Sequence, residues 1–373
     1  MALVPRGGSI AQTTVSQGLR HQSCRGLPTS PLQALLVTAE RAGSWQSYGV
    51  PGALIATLPA AIVLAAVVRR AVRTRSLSRN RSAFGSAGKR APCISMAASA
   101  EGAYPPAVIF GGGRVGEALF NMGNGNDVIV RRGEPFPADV PPGPIYVCTR
   151  NDALKGIIDM TPQERREDLI FIQNGALLPF LEQELGSLAP QTTVLLVYFA
   201  VAKKGEAPLD GKTDTDPEGL SAVNASGKWA AEVAHRLTAG GLSIRELAEP
   251  SFTQAYWEKN LWIAAYMLVG ALHDGCKVGN VESEHREEVD ALITELACAV
   301  SDASPGIQWD TKLLCDRLAA YARSVAHFPT AVKEFEWRNG AFYNFTLQAE
   351  AAGKADPCPA HTAGLKQVGA MPS

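Results

Sequence analysis

The chain has 373 residues and a net charge of only −1, but this near-neutral total combines two unlike parts. Residues 1–100 contain eleven arginines, one lysine and a single acid, so they carry +11 and the remainder carries −12. An acidic body argues against nucleic-acid binding. The seven cysteines and six histidines are scattered through the chain. None has the spacing of a disulfide framework or a zinc site, so we predict no metal.

The basic first part is rich in Arg, Ser and Ala, which is typical of an organellar targeting leader. We expect residues 1–100 to be a disordered leader, the mature protein to begin near residue 100, and the destination to be a plastid, with a mitochondrion as the alternative. Residues 50–68 form an uncharged apolar run of nineteen residues. Its length permits a membrane span or a multipart targeting signal, which would tether the protein to an organelle membrane; the other interpretation is a disposable leader segment.

Two domains are predicted in the acidic body. Strand-like and helix-like runs alternate over residues 104–250, which indicates a parallel sheet in an α/β domain. Over 251–349 only helical periodicity remains, and the first helix is apolar on nearly every side, as a central buried helix would be. Residues 350–373 are polar and contain Pro and Gly, so we expect a flexible tail. The predicted strands are 107–110, 126–130, 144–148, 168–172, 193–199 and 242–247; the helices are near Val115, near Asp152, and at 177–184, 225–238, 253–273, 284–304, 309–326 and 331–348.

A glycine motif, G-x-G-x-x-G, follows the first predicted strand and opens the first helix. In a dinucleotide-binding turn, the first glycine permits the tight turn, the second lets the backbone approach the pyrophosphate, and the third lets the helix pack on the strand. The alternative is a glycine-rich surface loop. The predicted cofactor-binding residues of this turn are Gly111, Gly112, Gly113, Arg114, Val115 and Gly116.

The second predicted strand ends at Arg131 and Arg132, where an NAD-binding protein would place an acid for the ribose. Guanidinium groups at this position suit a ribose 2′-phosphate, because they form charge-assisted and often bidentate hydrogen bonds with it. The sequence therefore favours NADP over NAD. Solvated arginines on an edge strand are the alternative.

Polar residues also follow the third and fourth predicted strands, at Arg150 and in the QNG sequence that contains Asn174. The carboxyl ends of parallel strands are where such sheets bind ligands. We expect Arg150 to reach the cofactor phosphates and Asn174 to bridge the nicotinamide ribose and the substrate. QNG could equally be a plain turn.

The helical region offers a lysine and a glutamate for carbonyl reduction. Lys259 lies in WEKN at the start of the buried helix, and Glu334 lies in VKEFEWRNG near the predicted start of the last one. An ammonium can donate a proton to a keto oxygen as hydride arrives, and a carboxylate can position the ammonium and contact the substrate. Solvated side chains are the alternative, and Glu258 or Glu336 would serve as well as Glu334.

The order of these motifs, GGGRVG, VIVRR, VCTR, QNG, YWEKN and KEFEWRNG, resembles the ketopantoate reductases (2-dehydropantoate 2-reductases) over about 107–348. The resemblance implies a Rossmann-type domain followed by an all-helical domain, and NADPH as cofactor. It also implies that Lys259 is the catalytic lysine, Glu334 its partner acid and Asn174 the QNG asparagine, with Arg131 reading the 2′-phosphate and Arg150 replacing a cofactor-contacting lysine.

The chain departs from the family pattern at two substrate-binding positions. Ile263 stands where the family has an asparagine, one turn after the lysine; Asn260 is nearby but on a different face. Ser324 precedes Glu334 by ten residues, not the twelve of the family, across HFPTAVKEF. The predicted substrate-binding residues are Asn174, Asn260 and Ser324.

We therefore expect NADPH-dependent reduction of a 2-keto acid, ketopantoate to pantoate in pantothenate biosynthesis, by a monomer or homodimer with a small-molecule substrate. Two alternatives stay open. One is an NADPH-binding sensor or scaffold without catalysis, and the other is a related reductase for another keto acid.

Overall fold

The computed structural model describes residues 104–371. The predictions made for 1–100, including the leader and the apolar run at 50–68, lie outside the described residues. Within 104–371, no helix combines the length and the hydropathy that crossing a membrane would require.

The first half of the described chain forms one seven-stranded sheet in the order β2-β1-β3-β4-β5-β6-β7. All neighbouring strands are parallel except β5 and β6, which are antiparallel. The central strands are apolar on both faces because helices cover both faces. The strands are β1 Val108–Phe110, β2 Val128–Val130, β3 Ile145–Val147, β4 Leu169–Phe171, β5 Thr193–Leu196, β6 Ala222–Asn224 and β7 Arg245–Leu247.

Two hydrophobic cores pack against the two faces of this sheet. Alternation along β1 illustrates the arrangement, because Val108 and Phe110 belong to one core and Ile109 to the other. The larger core continues without a break into the helical half, so the two halves share one interior. The helices that cover the sheet are α1 Arg114–Asn121, α2 Leu154–Met160, α3 Leu177–Leu185 and α4 Ala230–Ala239, with 3₁₀ turns at Asn151–Ala153, Gln163–Asp168 and Gly186–Gln191.

The second half of the described chain is helical and is built around α5, Ser251–Leu272. Fourteen of its 22 residues are buried, which confirms the predicted central helix and explains why the segment shows no polar face. The helices around it are α6 Val278–Glu284, α7 Arg286–Ala303, α8 Thr311–Ser324, α9 Asn339–Ala351 and α10 Pro359–Gln367.

The structure corrects the predicted tail at 350–373. Residues Pro359–Gln367 form α10, whose His361 and Leu365 are fully buried, as is Cys358 just before it. The polar composition concealed this helix because two of its buried positions are His361 and Thr362. Thr362 Oγ1 lies 3.1 Å from Thr346 Oγ1, and a His361 ring nitrogen lies 3.0 Å from Asn339 Oδ1.

Two further corrections concern where elements begin. The helix predicted at 225–238 begins at Ala230, because residues 225–229 form a turn after β6, a strand that the sequence analysis missed. The helix predicted at 331–348 begins only at Asn339. Residues 329–338 are instead irregular, and Glu334 has φ +49°, which is incompatible with a continuous helix.

Candidate active site

The β1–α1 connection is a turn that contains several glycines, and their surroundings differ. Gly111 has φ +101°, and a Cβ there would lie 2.7 Å from Cys148 O. A Cβ on Gly116 would lie 1.9 Å from Gly111 O, so α1 can approach the turn only without a side chain. A Cβ on Gly113, by contrast, would meet nothing within 4 Å. The missing side chain of Gly113 therefore leaves open space and is not required by packing.

This open space fits the pyrophosphate of a dinucleotide. Gly113 is the N-cap of α1, and no side chain caps the helix, so its first-turn N–H groups are available to an anion. At the adjacent end of β3, Thr149 Oγ1 is buried without a hydrogen-bond partner. Free amides and an unpaired hydroxyl beside an open turn are what a phosphate ligand would satisfy.

Four of the predicted cofactor residues with longer side chains differ in their exposure and in their contacts. Arg131 is exposed, and its Nε is 4.0 Å from the position of a Cβ on Gly112, so its guanidinium lies beside the turn. Arg114 donates to the carbonyls of Val201 and Ala202 at 3.2 and 3.1 Å, which ties α1 to the loop after β5. The remaining two are Val115, which is half-buried against the core, and Arg150, which is exposed and pairs with Asp152 at 3.6 Å.

The QNG sequence after β4 connects the sheet with the helical half. Gln173 Nε2 donates to Val147 O at 2.7 Å and to Thr149 O at 3.0 Å, so it fixes the ends of β3 and β4 together. Gly175 has φ +100°, and a Cβ there would lie 2.1 Å from Trp337 O. QNG is thus a turn, as one interpretation of the sequence held, and it packs closely on the segment that precedes α9.

Asn260 holds this turn in place. Its Oδ1 accepts from Gly175 N at 2.9 Å, and its Nδ2 donates to Tyr256 O at 3.0 Å. The substrate contact that the sequence analysis predicted for Asn260 stays a prediction, and in the structure its amide has two protein partners. The Asn174 side chain differs, because its Oδ1 is buried and has no hydrogen-bond partner. Asn174 therefore keeps an acceptor available at the end of β4.

Lys259 is buried at the carboxyl end of β5. Its Nζ donates to Val197 O, one residue beyond the strand, and lies 4.8 Å from the centroid of the Tyr198 ring. The Tyr321 ring packs edge-on against Tyr198 at 4.8 Å, so the ammonium lies among aromatic groups. Burial, and secondarily the positive charge of Arg338, lowers the pKa of Lys259 to about 7. Such a lysine exchanges its proton near neutral pH.

Glu334 lies in the irregular segment that packs on the QNG turn. Its Oε2 accepts from Arg338 Nη2 at 2.6 Å, and both side chains are about one-fifth exposed. A positive φ at a residue other than glycine costs about 1–3 kcal/mol and recurs at functional sites. The alternative acid Glu258 is engaged elsewhere, because Arg317 binds it through two hydrogen bonds of 2.7 and 2.9 Å.

The two positions at which the chain departs from the family pattern, Ser324 and Ile263, differ in burial. Ser324 is exposed, and its hydroxyl donates to Tyr321 O at 2.7 Å, within the last turn of α8. The described contacts do not join Ser324 to Lys259 or to Asn174. Ile263 is buried one turn after Lys259 on α5. Sequence reasoning missed Arg338, although its position four residues after Glu334 is the spacing of an ion pair within one turn.

The histidines also include a group that sequence reasoning missed. Among residues 104–371, His273, His285 and Glu288 have side-chain ligand atoms within 4.8 Å of one another. The two imidazoles stack at 3.6 Å, and His273 Nε2 lies 2.6 Å from Glu288 Oε2. The short helix α6 between the histidines brings them together, which their spacing of twelve residues conceals.

One surface groove, of about 640 Å³, lies elsewhere. It lies beside the C-terminal end of α3, and none of the predicted site residues lines it. The chemistry-bearing residues instead converge at the carboxyl edge of the sheet, where β1, β3, β4 and β5 end.

No protein-family model and no curated protein sequence matches the chain, but solved structures do. D-mandelate dehydrogenase, in a ternary structure with NADH and anilino(oxo)acetate, matches at a TM-score of 0.52 and 13% identity, over 71% of this chain and 97% of that one. The chain shares this fold. A complex of D-mandelate dehydrogenase with NADH matches at a TM-score of 0.50 and 14% identity, over 71% and 98% of the two chains. A PanE/ApbA family ketopantoate reductase from Ralstonia eutropha matches at 0.49 and 15%, over 71% and 98%.

The predicted fold class, a Rossmann-type domain followed by an all-helical domain, is thereby confirmed. Several of the matching structures are ketopantoate reductases, the family that the sequence motifs resemble. At this low identity the likeness concerns the fold. The chemistry of this chain therefore has to be argued from its own residues.

Proposed function

We propose that this protein is an NADPH-dependent reductase of 2-keto acids. The observation that carries the proposal is the position of Lys259, a buried lysine with a pKa of about 7 at the carboxyl end of β5. Asn174, with its unpaired acceptor, follows the neighbouring strand β4, and open space lies at Gly113, in the turn between β1 and α1. Ligands of doubly wound sheets bind across such strand ends.

The glycine turn supports a dinucleotide, and the solved structures of D-mandelate dehydrogenase with NADH support a nicotinamide one. Arg131 favours the phosphorylated form. Its guanidinium lies beside the turn, and it has no ion-pair partner among the described residues, so its charge is available for a 2′-phosphate. Glu134 does not compete for that guanidinium, because its carboxylate accepts from the backbone N–H of Arg131 at 2.6 Å.

A bound reduced nicotinamide would supply the hydride to the keto carbon. Lys259 would donate a proton from Nζ to the keto oxygen, so that no free alkoxide forms, and would recover a proton from solvent afterwards. Half-protonation near pH 7 suits this role, because a general acid works best with a pKa near the working pH. The Asn174 Oδ1 acceptor is placed to receive a hydroxyl of the ligand, either from the ribose or from the product.

Ketopantoate, with a role in pantothenate biosynthesis, is the first substrate that we propose, on the motif resemblance. Ile263 motivates a second, because an apolar side chain replaces an amide one turn after Lys259. The fold neighbour acts on D-mandelate, whose oxidised form is benzoylformate, a keto acid with an apolar ring. A pocket that lacks a hydrogen-bonding group would accept an apolar substituent more readily than a hydroxyl.

The test is NADPH oxidation by the purified protein with ketopantoate or benzoylformate, beside Lys259→Ala. We expect the variant to lose about two to four orders of magnitude in turnover while NADPH affinity changes little. Lys312→Ala, which removes an exposed lysine on α8, is the matched control and should keep the wild-type rate. Unchanged turnover in Lys259→Ala would remove this lysine from the mechanism. NADPH binding without oxidation by any keto acid would favour a sensor or scaffold instead.

A further inference from the structure

The irregular segment before α9 brings a second cation to the site. Arg338 is four-fifths buried, and only its Nη2 has a partner, the carboxylate of Glu334 at 2.6 Å. Its Nε is buried with no hydrogen-bond partner. Leaving a buried donor of a charged group unsatisfied costs about 1–3 kcal/mol or more, so such a donor calls for an explanation.

Arg338 also lies close enough to Lys259 for its charge to contribute to the lowered pKa of that lysine. When Lys259 is protonated, two positive charges thus lie near one another, and Arg338 pairs with one carboxylate, that of Glu334. The other acids nearby do not correct this imbalance. Glu258 is neutralised by Arg317, and Glu336 is exposed, with no ion pair to Arg338 among the described contacts. The site therefore has one positive charge in excess whenever Lys259 is protonated, and Arg338 has a free donor.

Two of the three residues predicted to hold the substrate have hydrogen-bond partners within the protein. The Ser324 hydroxyl donates to Tyr321 O in its own helix, and the Asn260 amide accepts from Gly175 N and donates to Tyr256 O. Asn174 has an unpaired acceptor, which a carboxylate cannot use, and an amide donor that carries no charge. Arg338 offers a donor with a matching charge.

We propose that Arg338 binds the carboxylate of the substrate, so that this site selects keto acids over neutral ketones and esters. This inference rests on the proposed function. An arginine presents five N–H groups, so Nε and a further guanidinium donor can serve the substrate while Nη2 stays with Glu334. The arriving anion would satisfy the buried Nε and cancel the excess charge. It would also hold the keto group, which is bonded directly to the carboxylate carbon, beside Lys259.

The packing of the segment makes this placement rigid. Ala176 N donates to Trp337 O at 2.6 Å, so the backbone next to Arg338 is fixed to the QNG turn. Through its ion pair, Glu334 fixes the orientation of the Arg338 guanidinium from four residues earlier in the same segment. On this view Glu334 is a positioning residue that acts through Arg338.

The experiment compares charged and neutral forms of the same substrates with Arg338→Met and Arg338→Lys. The pairs are ketopantoate with ketopantolactone, and benzoylformate with methyl benzoylformate. For the acid, we expect Arg338→Met to raise KM about tenfold to a hundredfold, the range for a lost hydrogen bond to a charged group, with a smaller change in kcat. For the neutral form, kcat/KM should change less than about threefold, and Arg338→Lys should recover part of the acid KM.

A second readout avoids turnover. The hydroxy acid product and NADPH form a complex that cannot react, and its affinity can be measured by calorimetry. Arg338→Met should weaken binding of the hydroxy acid about tenfold or more and leave NADPH affinity unchanged. Arg323→Met, which removes an exposed arginine of α8, is the matched control.

The outcomes separate the two proposals. If the wild-type protein reduces keto acids and Arg338→Met keeps the wild-type KM and product affinity, the assignment of Arg338 is overturned alone. Equal losses with the acid and the neutral form would also overturn it, because they would mark Arg338 as structural. A wild-type protein that reduces no keto acid would refute the proposed function and this inference with it.

Discussion

Replacing Lys259 by methionine should abolish most activity and yet stabilise the protein. Burial lowers the pKa of this lysine from 10.5 to about 7, so the folded state disfavours the charged form that the unfolded chain adopts. At about 1.36 kcal/mol per pKa unit, the cost is about 5 kcal/mol when Lys259 is fully charged, about 4 kcal/mol at pH 7 and about 1 kcal/mol at pH 10. Stability is therefore lost as the pH falls from the unfolded pKa through the folded one.

Methionine has a similar length and no charge, so the variant escapes this cost. It also loses the hydrogen bond to Val197 O and leaves that carbonyl unpaired, which costs about 2 kcal/mol at either pH. We therefore expect Lys259→Met to be about 2 kcal/mol more stable than wild type at pH 7 and about 1 kcal/mol less stable at pH 10.

The assay is urea unfolding of both proteins at the two pH values, with Lys312→Met as the exposed control. Comparing wild type with variant at each pH cancels every other titrating group, so the change between the two differences, about 3 kcal/mol, reports on Lys259 alone. The control should change by less than about 0.5 kcal/mol at either pH. A wild-type-to-variant difference that is the same at both pH values would show that Lys259 is not desolvated, and would remove the basis for its role as a proton donor near neutral pH.

Three further predictions follow from the same site. Because Lys259 must be protonated to act, kcat/KM should be highest below about pH 7 and fall about tenfold per pH unit above it; a flat profile through pH 9 would exclude Lys259 as the acid. Gly113→Ala should fold with wild-type stability but bind NADPH more weakly, whereas Gly116→Ala should lower the free energy of unfolding by about 1–3 kcal/mol or more, because its Cβ would lie 1.9 Å from a backbone oxygen. Thermal melts and NADPH titration distinguish the two variants. Wild-type NADPH affinity in Gly113→Ala would contradict the pyrophosphate site. Arg131→Ala should lower NADPH affinity about tenfold to a hundredfold and leave NADH affinity unchanged in a fluorescence titration, and parallel losses would show that Arg131 does not read the 2′-phosphate.

Much of the fold could be predicted because its signals are local. Apolar runs that end in glycines or polar residues predicted the six strands, and the almost uniformly apolar α5 predicted the centre of the helical half. The missed strand β6, Ala222–Asn224, has only two apolar residues between Ser221 and Asn224, so no apolar run marks it. The missed helix α10 did carry a start signal, Pro359 at its first position, but polar side chains at its buried positions obscured its periodicity.

The site was harder to predict, because its geometry depends on contacts between distant segments. The spacing of Asn260 and Lys259 on α5 could not reveal that the Asn260 amide binds Gly175, 85 residues earlier. Nor could local pattern show that Glu334 precedes α9 in a strained turn, since its neighbours favour a helix. Arg338 was missed for the same reason: only the packing of this segment on the QNG turn brings it near Lys259.

The contacts at Gly175 bear on how the molecule can move. Its amide N–H binds Asn260, its carbonyl accepts from Tyr256 at 2.5 Å, and the next amide binds Trp337 O at 2.6 Å. These bonds join the sheet to α5 and to the segment before α9 at one point, so the two halves can come apart at Gly175 only if all three break. A hinge motion that keeps these bonds would have to turn about this point. In hydrogen exchange, the amides of Gly175 and Ala176 should be among the slowest of any turn in the protein, exchanging only when a larger cooperative unit opens.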